Sequence, residues 1–247
     1  MLWVCWAQFS FWRLFIWLES RHPQPMIDLR LFRNALFSQS LLTGALVFVV
    51  IAGATLLLPF YLQDMRGYNA RKLADDGFDS RVFGIIAAPL SGIVSDRYGT
   101  RIIAMIGLAI TAVGFWLMSR FDAQTAVLGF ALGVMPMGLG IGVFQSPNNS
   151  AVMGIAAPGI WSIASGLLGL SRTLGQTAEY RCVFGALWAG RVAAYAGETL
   201  PGGATTAPGP AQIAGLSDTF LAMLFLTVMA LLLSVWGIVR ARQTGSA

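Results

Sequence analysis

Charged residues and glycines are closely spaced in one segment that could control a conformational change. Between two apolar runs the chain carries Gly92, Asp96, Arg97, Gly99 and Arg101. The carboxylate can accept hydrogen bonds from a helix N-terminus or a guanidinium, while the two arginines stay in water. The glycines permit a tight helix contact and a sharp turn, because they carry no side chain. The pattern predicts a gating loop that stabilises one state of a moving protein. On spacing alone, a charged turn that only fixes orientation is an equal alternative.

Five polar side chains in or beside apolar sequence could line a path for a small solute. They are Gln145, Asn148, Asn149, Arg172 and Gln176. Their amides and guanidinium can hydrogen-bond a passing molecule, and an ionisable residue inside a membrane segment is a functional hypothesis by default. The first three also fit a helix C-terminal cap and loop. Arg172 also fits a structural pair with a carboxylate or with backbone carbonyls, so both alternatives stay open.

No arrangement of residues predicts catalysis or a bound metal. Cys5 and Cys182 lie far apart in apolar sequence, and the single histidine, His22, lies in a polar connection. One histidine builds neither a metal site nor a catalytic triad, and no Gly-x-Ser-x-Gly or His-Glu metal spacing occurs. We therefore expect no enzyme activity, no catalytic residue, no metal and no cofactor.

Composition predicts the elements that carry these residues. Of the 247 residues, 56% are hydrophobic and 11% are charged, whereas soluble domains carry about 25% charged residues. In lipid every backbone donor and acceptor must be satisfied internally, which leaves helices or a closed barrel. Long apolar runs such as Leu41–Leu62 favour helices over the alternating segments of a barrel. The fold class is therefore an all-α integral membrane protein, with six to seven transmembrane helices.

The positions of the spans follow from apolar runs of about 20 residues. The stretch Val82–Val94 is too short to cross by itself, and a sixth region consists of two apolar pieces, Ile160–Leu174 and Cys182–Tyr195. Gly197–Ser217 is rich in Gly, Pro, Ala and Thr, which predicts an exposed loop. The remaining predicted spans are Leu2–Leu18, Leu36–Leu62, Ile102–Met118, Ala126–Phe144 and Thr219–Val239.

Basic residues predict the orientation of the chain. The net charge is +5, but the lysines and arginines lie mainly in short connections, which indicates topology control rather than a nucleic-acid partner. The loop around Asp96 and the tail after Val239 are predicted on the cytoplasmic side, and Gly197–Ser217 on the other side.

Small residues one helical turn apart predict close helix packing in the span Ala126–Phe144. The pairs there are Gly129 with Gly133 and Gly138 with Gly142. The sixth region has the same spacing in two further pairs, Ser162 with Gly166 and Ser165 with Gly169.

The segment from Gly92 to Arg101, GIVSDRYGTR, resembles the loop signature of the major facilitator superfamily. Further segments resemble, in order and spacing, the central part of its fourteen-span drug/proton antiporters. These segments are Pro25–Asn34, Pro59–Gln63 with Gly67 and Tyr68, Gln145–Met153 and Ser165–Gln176.

The resemblance implies that residues 1–247 form a single transmembrane domain that corresponds to the C-terminal half of such a transporter. The first half, with the Gly- and Pro-rich antiporter motif of the family, would then be absent. Segments 1–14, 71–81, 158–162 and 178–182 depart from the family pattern. Six charges between Arg71 and Arg81 would each cost about 2.5–3.5 kcal/mol at a helix centre. We interpret these segments as local frame slips in the coding sequence, or the charged one as lying outside the membrane.

The resemblance also implies proton-coupled multidrug efflux, an antiport of small, mostly apolar or cationic molecules, by a multi-pass protein of the cytoplasmic (inner) membrane. The expected partners are the lipid bilayer, a drug-like molecule, protons, and either the missing N-terminal half or a second copy. Proton coupling needs a buried, titratable carboxylate. Glu179 is the only acid inside an apolar region, so the coupling acid is expected in the missing half. The alternative is a non-transporting membrane fragment of a truncated or frame-shifted transporter gene.

Overall fold

The computed structural model describes residues 29–62, 80–122, 124–125, 127–156, 160–180, 183–197 and 203–243. The predicted span Leu2–Leu18, both cysteines and His22 lie outside the described residues. So do positions 71–79 of the charged segment, positions 158–159, and Arg181. Of Ala178–Tyr180 the structure describes the helical backbone and not the side chains.

Seven α-helices form the described part of the chain, together with two short 3-10 helices at Leu29–Arg33 and Ala204–Thr206. No strand occurs in the described ranges, and four of the helices are long and apolar enough to cross a membrane. The predicted all-α membrane fold is therefore confirmed. The helices are α1 (Ala35–Phe60), α2 (Ser80–Tyr98), α3 (Thr100–Met118), α4 (Val127–Ile155), α5 (Trp161–Tyr180), α6 (Val183–Ala196) and α7 (Gly209–Gln243).

Local sequence explains where α1 begins and ends. The Asn34 side chain caps the helix, because its Oδ1 accepts hydrogen bonds from the backbone N–H groups of Leu36 (3.0 Å) and Phe37 (3.4 Å). Pro59 lies in the last turn. The predicted span Leu36–Leu62 therefore agrees with the observed helix to within two residues.

Helix α4 is longer than predicted. It continues through Pro136 and Pro147 to Ile155, whereas the prediction ended the span at Phe144. The interpretation of Gln145, Asn148 and Asn149 as a helix end and loop is therefore wrong. A proline removes one helical hydrogen bond, but ending a helix inside the membrane would leave several backbone groups unsatisfied, so the helix continues.

Helix α7 also starts earlier than predicted, at Gly209, so residues 209–217 of the predicted exposed loop are helical. Pro210 fits there, because proline is tolerated in a first helical turn. The Gln212 side chain donates to the carbonyl oxygens of Thr205 (2.9 Å) and Ala207 (2.8 Å), and the Trp188 indole donates to the Gln212 carbonyl (3.3 Å). The described remainder of the loop is thus hydrogen-bonded to α7, and Trp188 joins that part of α7 to α6.

Helices α5 and α6 follow α1 from one end to the other. The Ser171 hydroxyl donates to the Leu41 carbonyl at 3.0 Å, near the beginning of α1. Further along, Phe184 packs beside Gly53, and Trp188 stacks on Phe60 with ring centroids 5.7 Å apart. The two apolar pieces of the sixth region therefore lie end to end beside α1 and together match one crossing.

Contacts at the two ends of the bundle support the predicted topology. At one end, Arg101 of α3 and Gly237 of α7 line the same small cavity. At the other end, the Tyr61 hydroxyl donates to the Asp122 carbonyl at 2.9 Å, and the Ser217 hydroxyl donates to the backbone near the end of α3. The Asp96 loop and the end of α7 thus share one end, and residues 203–208 lie at the other.

Glycines bring α4 into backbone contact with its neighbours. A Cβ added to Gly142 would lie 2.5 Å from the carbonyl oxygen of Gly84 in α2, and one added to Gly114 of α3 would lie 2.5 Å from the Met137 nitrogen. Close packing of this predicted span is therefore confirmed. By contrast, Gly166 and Gly169 in α5 face open space, so the equal spacing there does not mark a helix contact.

Candidate functional site

A cavity of about 430 Å³ opens on one side of the bundle, between α1, α2, α4 and α5. Three of the predicted pathway residues, Gln145, Arg172 and Gln176, line it together. The cavity lies beside the middle of α1, where Phe48 and Thr55 contribute to its wall. The structure thus brings three of the five candidates together at one cavity, from the two helices α4 and α5, and their role in a solute path stays a prediction.

The guanidinium of Arg172 is exposed at this cavity and lies over an aromatic ring. Its Cζ is 4.9 Å from the centroid of Phe48. Within the described residues the guanidinium makes neither an ion pair nor a hydrogen bond, so the proposed structural pair with a carboxylate is not found there. A cation over an aromatic face gains about 0.5–1 kcal/mol at an exposed site, and its N–H groups stay available to a ligand.

The backbone of α5 is held firmly on either side of Arg172. The preceding residue, Ser171, donates its hydroxyl to α1, as described above. Three residues further on, a Cβ added to Gly175 would lie 2.7 Å from the Ala45 carbonyl oxygen. Helix α5 therefore lies in direct contact with α1. This contact fixes the backbone position of Arg172.

Two cavity features were missed by sequence reasoning. Gly84 and Gly138 line the cavity with bare backbone, and Phe48, Ile51 and Thr55 form a stripe on α1. The stripe has the i, i+3, i+7 spacing of one helix face, so this periodicity could have identified it. Gly84 carries no comparable signal, because its role depends on where α4 packs.

The structure separates the two asparagines from the other pathway candidates. Asn148 is buried and faces Gly44 of α1, beside a second cavity of about 30 Å³ that Thr43 also lines. Among the described residues, the Thr43 hydroxyl is the one buried side-chain group that has no hydrogen-bond partner. Asn149 is half-buried and lines neither of these cavities. The lining of the large cavity therefore does not include Asn148 or Asn149.

The predicted gating loop has the geometry that its glycines suggested. Gly99 has φ of 92°, a left-handed conformation that favours glycine, and it alone connects α2 to α3. A Cβ added to Gly92 would lie 3.2 Å from the Ser146 hydroxyl of α4. Asp96 and Arg97 are exposed, and among the described residues Asp96 forms no ion pair. The turn and the helix contact are thus present, and the gating role stays a prediction.

Arg101, the last residue of the motif, points in a different direction. It is half-buried and lines the 30 Å³ cavity together with Asn148 and Ser234. This cavity joins the beginnings of α1 and α3 to the late turns of α4 and α7. A space of this size with several polar neighbours suits a single bridging water.

Comparison with known proteins gives consistent matches. The family model described as Major Facilitator Superfamily matches residues 6–178. The uncharacterized transporter YebQ of Escherichia coli (strain K12) is 32% identical over 155 residues, which cover 63% of this chain and 34% of YebQ. The multidrug resistance protein Stp of Mycobacterium tuberculosis is 30% identical over 166 residues, covering 66% of this chain and 30% of Stp.

A third relative is the tetracenomycin C resistance and export protein of Streptomyces glaucescens. It is 26% identical over 174 residues, which cover 70% of this chain and 32% of that protein. The chain therefore spans about a third of the length of these relatives.

Proposed function

Because this chain belongs to the Major Facilitator Superfamily, among its drug/proton antiporters, we propose that it forms one wall of a proton-coupled exporter of small molecules. The protein is a multi-pass membrane protein, and its relatives support a location in the cytoplasmic (inner) membrane. A second half-bundle supplies the opposite wall. It is either an N-terminal half or a second copy of this chain.

The large cavity carries this proposal. Substrate sites of transporters lie near the middle of the bilayer, at the interface between two repeats. The cavity lies beside the middle of α1, is open on one side of the bundle, and combines apolar residues with Gln145, Arg172 and Gln176. An apolar pocket with a few convergent polar groups is the arrangement that small-molecule sites use.

The residues that line the cavity also support substrate binding by this half and proton transfer by the other half. No carboxylate lines the cavity among the residues that the structure describes. A coupling proton needs an acid that can be buried and titrated near the substrate. We therefore assign the proton-carrying acid to the other half-bundle.

The proposal is tested by dye efflux in a host that lacks its own exporters. The full chain is expressed alone, and together with the N-terminal part of the relative Stp, and accumulation of fluorescent dyes is measured with and without a protonophore. We expect efflux only from the pair, and only with an intact proton gradient, because one half-bundle forms one wall of the pathway.

Matched threonine variants show whether efflux uses the cavity. Thr55 lines the cavity and donates its hydroxyl to Ile51 at 2.8 Å, whereas Thr173 of α5 lies outside it and donates to Gly169 at 2.9 Å. Thr55→Phe should abolish efflux by filling the cavity, and Thr173→Phe should leave it unchanged. If the chain alone effluxed dye, the half-transporter interpretation would be wrong, and the chain would function as a homodimer. If the correctly inserted pair effluxed no dye, the proposal would be wrong, and the chain would be a non-transporting fragment.

A further inference from the structure

We infer that the cavity selects aromatic organic anions, bound through Arg172. This inference rests on the proposed function, because it names the substrate class of the same site. Its starting point is the charge of the lining. Of the described residues that line the cavity, Arg172 alone is ionisable at neutral pH.

Among the residues that the structure describes, Arg172 has no counter-ion. The contact with Phe48 at 4.9 Å occupies part of the guanidinium, and no described acceptor binds its N–H groups. An arginine side chain within a membrane segment costs free energy, and a negatively charged partner lowers that cost. A ligand that brings a negative charge therefore gains more at this site than a neutral ligand of the same shape.

Carboxylates match the Arg172 guanidinium better than other charged groups do. The planar guanidinium presents parallel N–H groups that bind both oxygens of a carboxylate at once. Gln145 and Gln176 offer both donors and acceptors, so they hydrogen-bond a ligand without selecting its sign. A cation of equal size meets the arginine with like charge, and the described lining offers it no carboxylate.

The remaining lining suits an aromatic body. Phe48, Ile51, Met137 and Ile141 supply apolar side chains on two helices. The volume of about 430 Å³ lies in the range of drug-sized pockets, roughly 300–1,000 Å³. The combined chemistry is that of a flat ring system with one carboxylate, such as a naphthoate.

The test measures binding of three ligands of equal shape and different charge. The full chain, co-expressed with the same N-terminal part of Stp as in the efflux test, is placed in phosphatidylcholine nanodiscs. Equilibrium dialysis then measures binding of 2-naphthoate, 2-naphthylmethanol and 2-naphthylmethylammonium up to millimolar concentrations. We expect naphthoate to bind at least about tenfold more tightly than the ammonium compound, since a charged hydrogen-bonded contact is typically worth about a factor of ten or more.

Variants of two arginines assign the effect to the cavity. Arg172→Gln should weaken naphthoate binding about tenfold and change the binding of the neutral alcohol by less than about twofold. Arg172→Lys should weaken naphthoate binding by an intermediate factor, because lysine keeps the charge but lacks the paired N–H groups of the guanidinium. Arg120→Gln is the matched control. Arg120 also lies over a ring, 4.7 Å from the centroid of Trp116, but outside the cavity, so its loss removes the same net charge and should change nothing.

The outcomes separate the two levels of inference. Equal binding of all three ligands, or naphthoate binding that survives Arg172→Gln, would overturn the anion selectivity while leaving the cavity as a binding site. If Arg120→Gln weakened naphthoate binding as much as Arg172→Gln does, the effect would come from net charge, and this result would also overturn the selectivity. If no ligand binds, the neutral alcohol included, the proposed function of the cavity itself is overturned together with the substrate class.

Discussion

Replacing Gly142 by alanine should separate α2 from α4. The added Cβ would lie 2.5 Å from the Gly84 carbonyl oxygen and 2.8 Å from its Cα, both of which are backbone atoms that cannot rotate away. Ordinary carbon contacts lie near 3.5 Å, so the two helices must move apart by roughly 1 Å. Because α2 also lines the large cavity, this shift alters the cavity as well.

The expected loss is the difference between two effects. Overpacking a close contact costs about 1–3 kcal/mol, whereas alanine gains about 0.5–1 kcal/mol over glycine inside a helix. Gly142→Ala should therefore destabilise the bundle by about 1–2 kcal/mol. Gly166→Ala in α5 is the control, because a Cβ there meets nothing within 4 Å. It should stabilise the protein by the helical gain alone, so the two variants should differ by about 2 kcal/mol, roughly thirtyfold in the unfolding equilibrium.

Unfolding by sodium dodecyl sulfate in mixed micelles, followed by circular dichroism, measures both variants against the parent chain. Opposite shifts of the midpoint are expected for the two substitutions. If Gly142→Ala proved as stable as Gly166→Ala, α2 and α4 could not be in backbone contact, and the position of α2 beside the cavity would be wrong.

Three further predictions concern the ends of the bundle. In a cysteine-free background, an impermeant reagent should label Thr205→Cys from outside cells and leave Tyr98→Cys unlabelled until the membrane is opened, and equal labelling would refute the topology. Asp218→Asn removes the ion pair with Arg191 (2.5 Å) but should lower stability by less than about 1 kcal/mol in the same unfolding assay, because both groups are partly exposed. Asp96→Asn, in the pair that effluxes dye, should reduce efflux while insertion stays normal, and unchanged efflux would leave the turn without a gating role.

Sequence reasoning located helix boundaries well where a capping residue or a turn glycine marks them. Asn34 caps α1 and Gly99 separates α2 from α3, so both boundaries are visible in the chain. It failed at Pro147 and Gly209, where residues typical of turns lie inside helices. At Gly209, hydropathy identifies only the apolar part of α7 and gives no information on the helical turns before it. At Pro147, the low helix propensity of proline predicts an end that the membrane environment disfavours.

Of the five candidate residues, the structure places three at the large cavity and two elsewhere, and the chemistry expected of them stays a prediction. Arg172 and Gln176 are one turn apart, and a helix period places them on one face. Gln145 and Asn148 are also about one turn apart, yet the first lines the large cavity and the second is buried against α1. Neighbouring faces of one helix meet different partners, and the partners depend on long-range packing that local spacing does not contain.

The single-residue connection at Gly99 has a consequence for biogenesis. Helix α2 contains Arg81, Asp96 and Arg97, and it is not among the four helices that qualify as spans by length and composition, whereas α3 is. With one residue between them, α2 and α3 form a tight helical hairpin. We therefore expect the apolar α3 to favour insertion of both helices together, so that a nascent chain arrested after Tyr98 inserts α2 less well than one that includes α3.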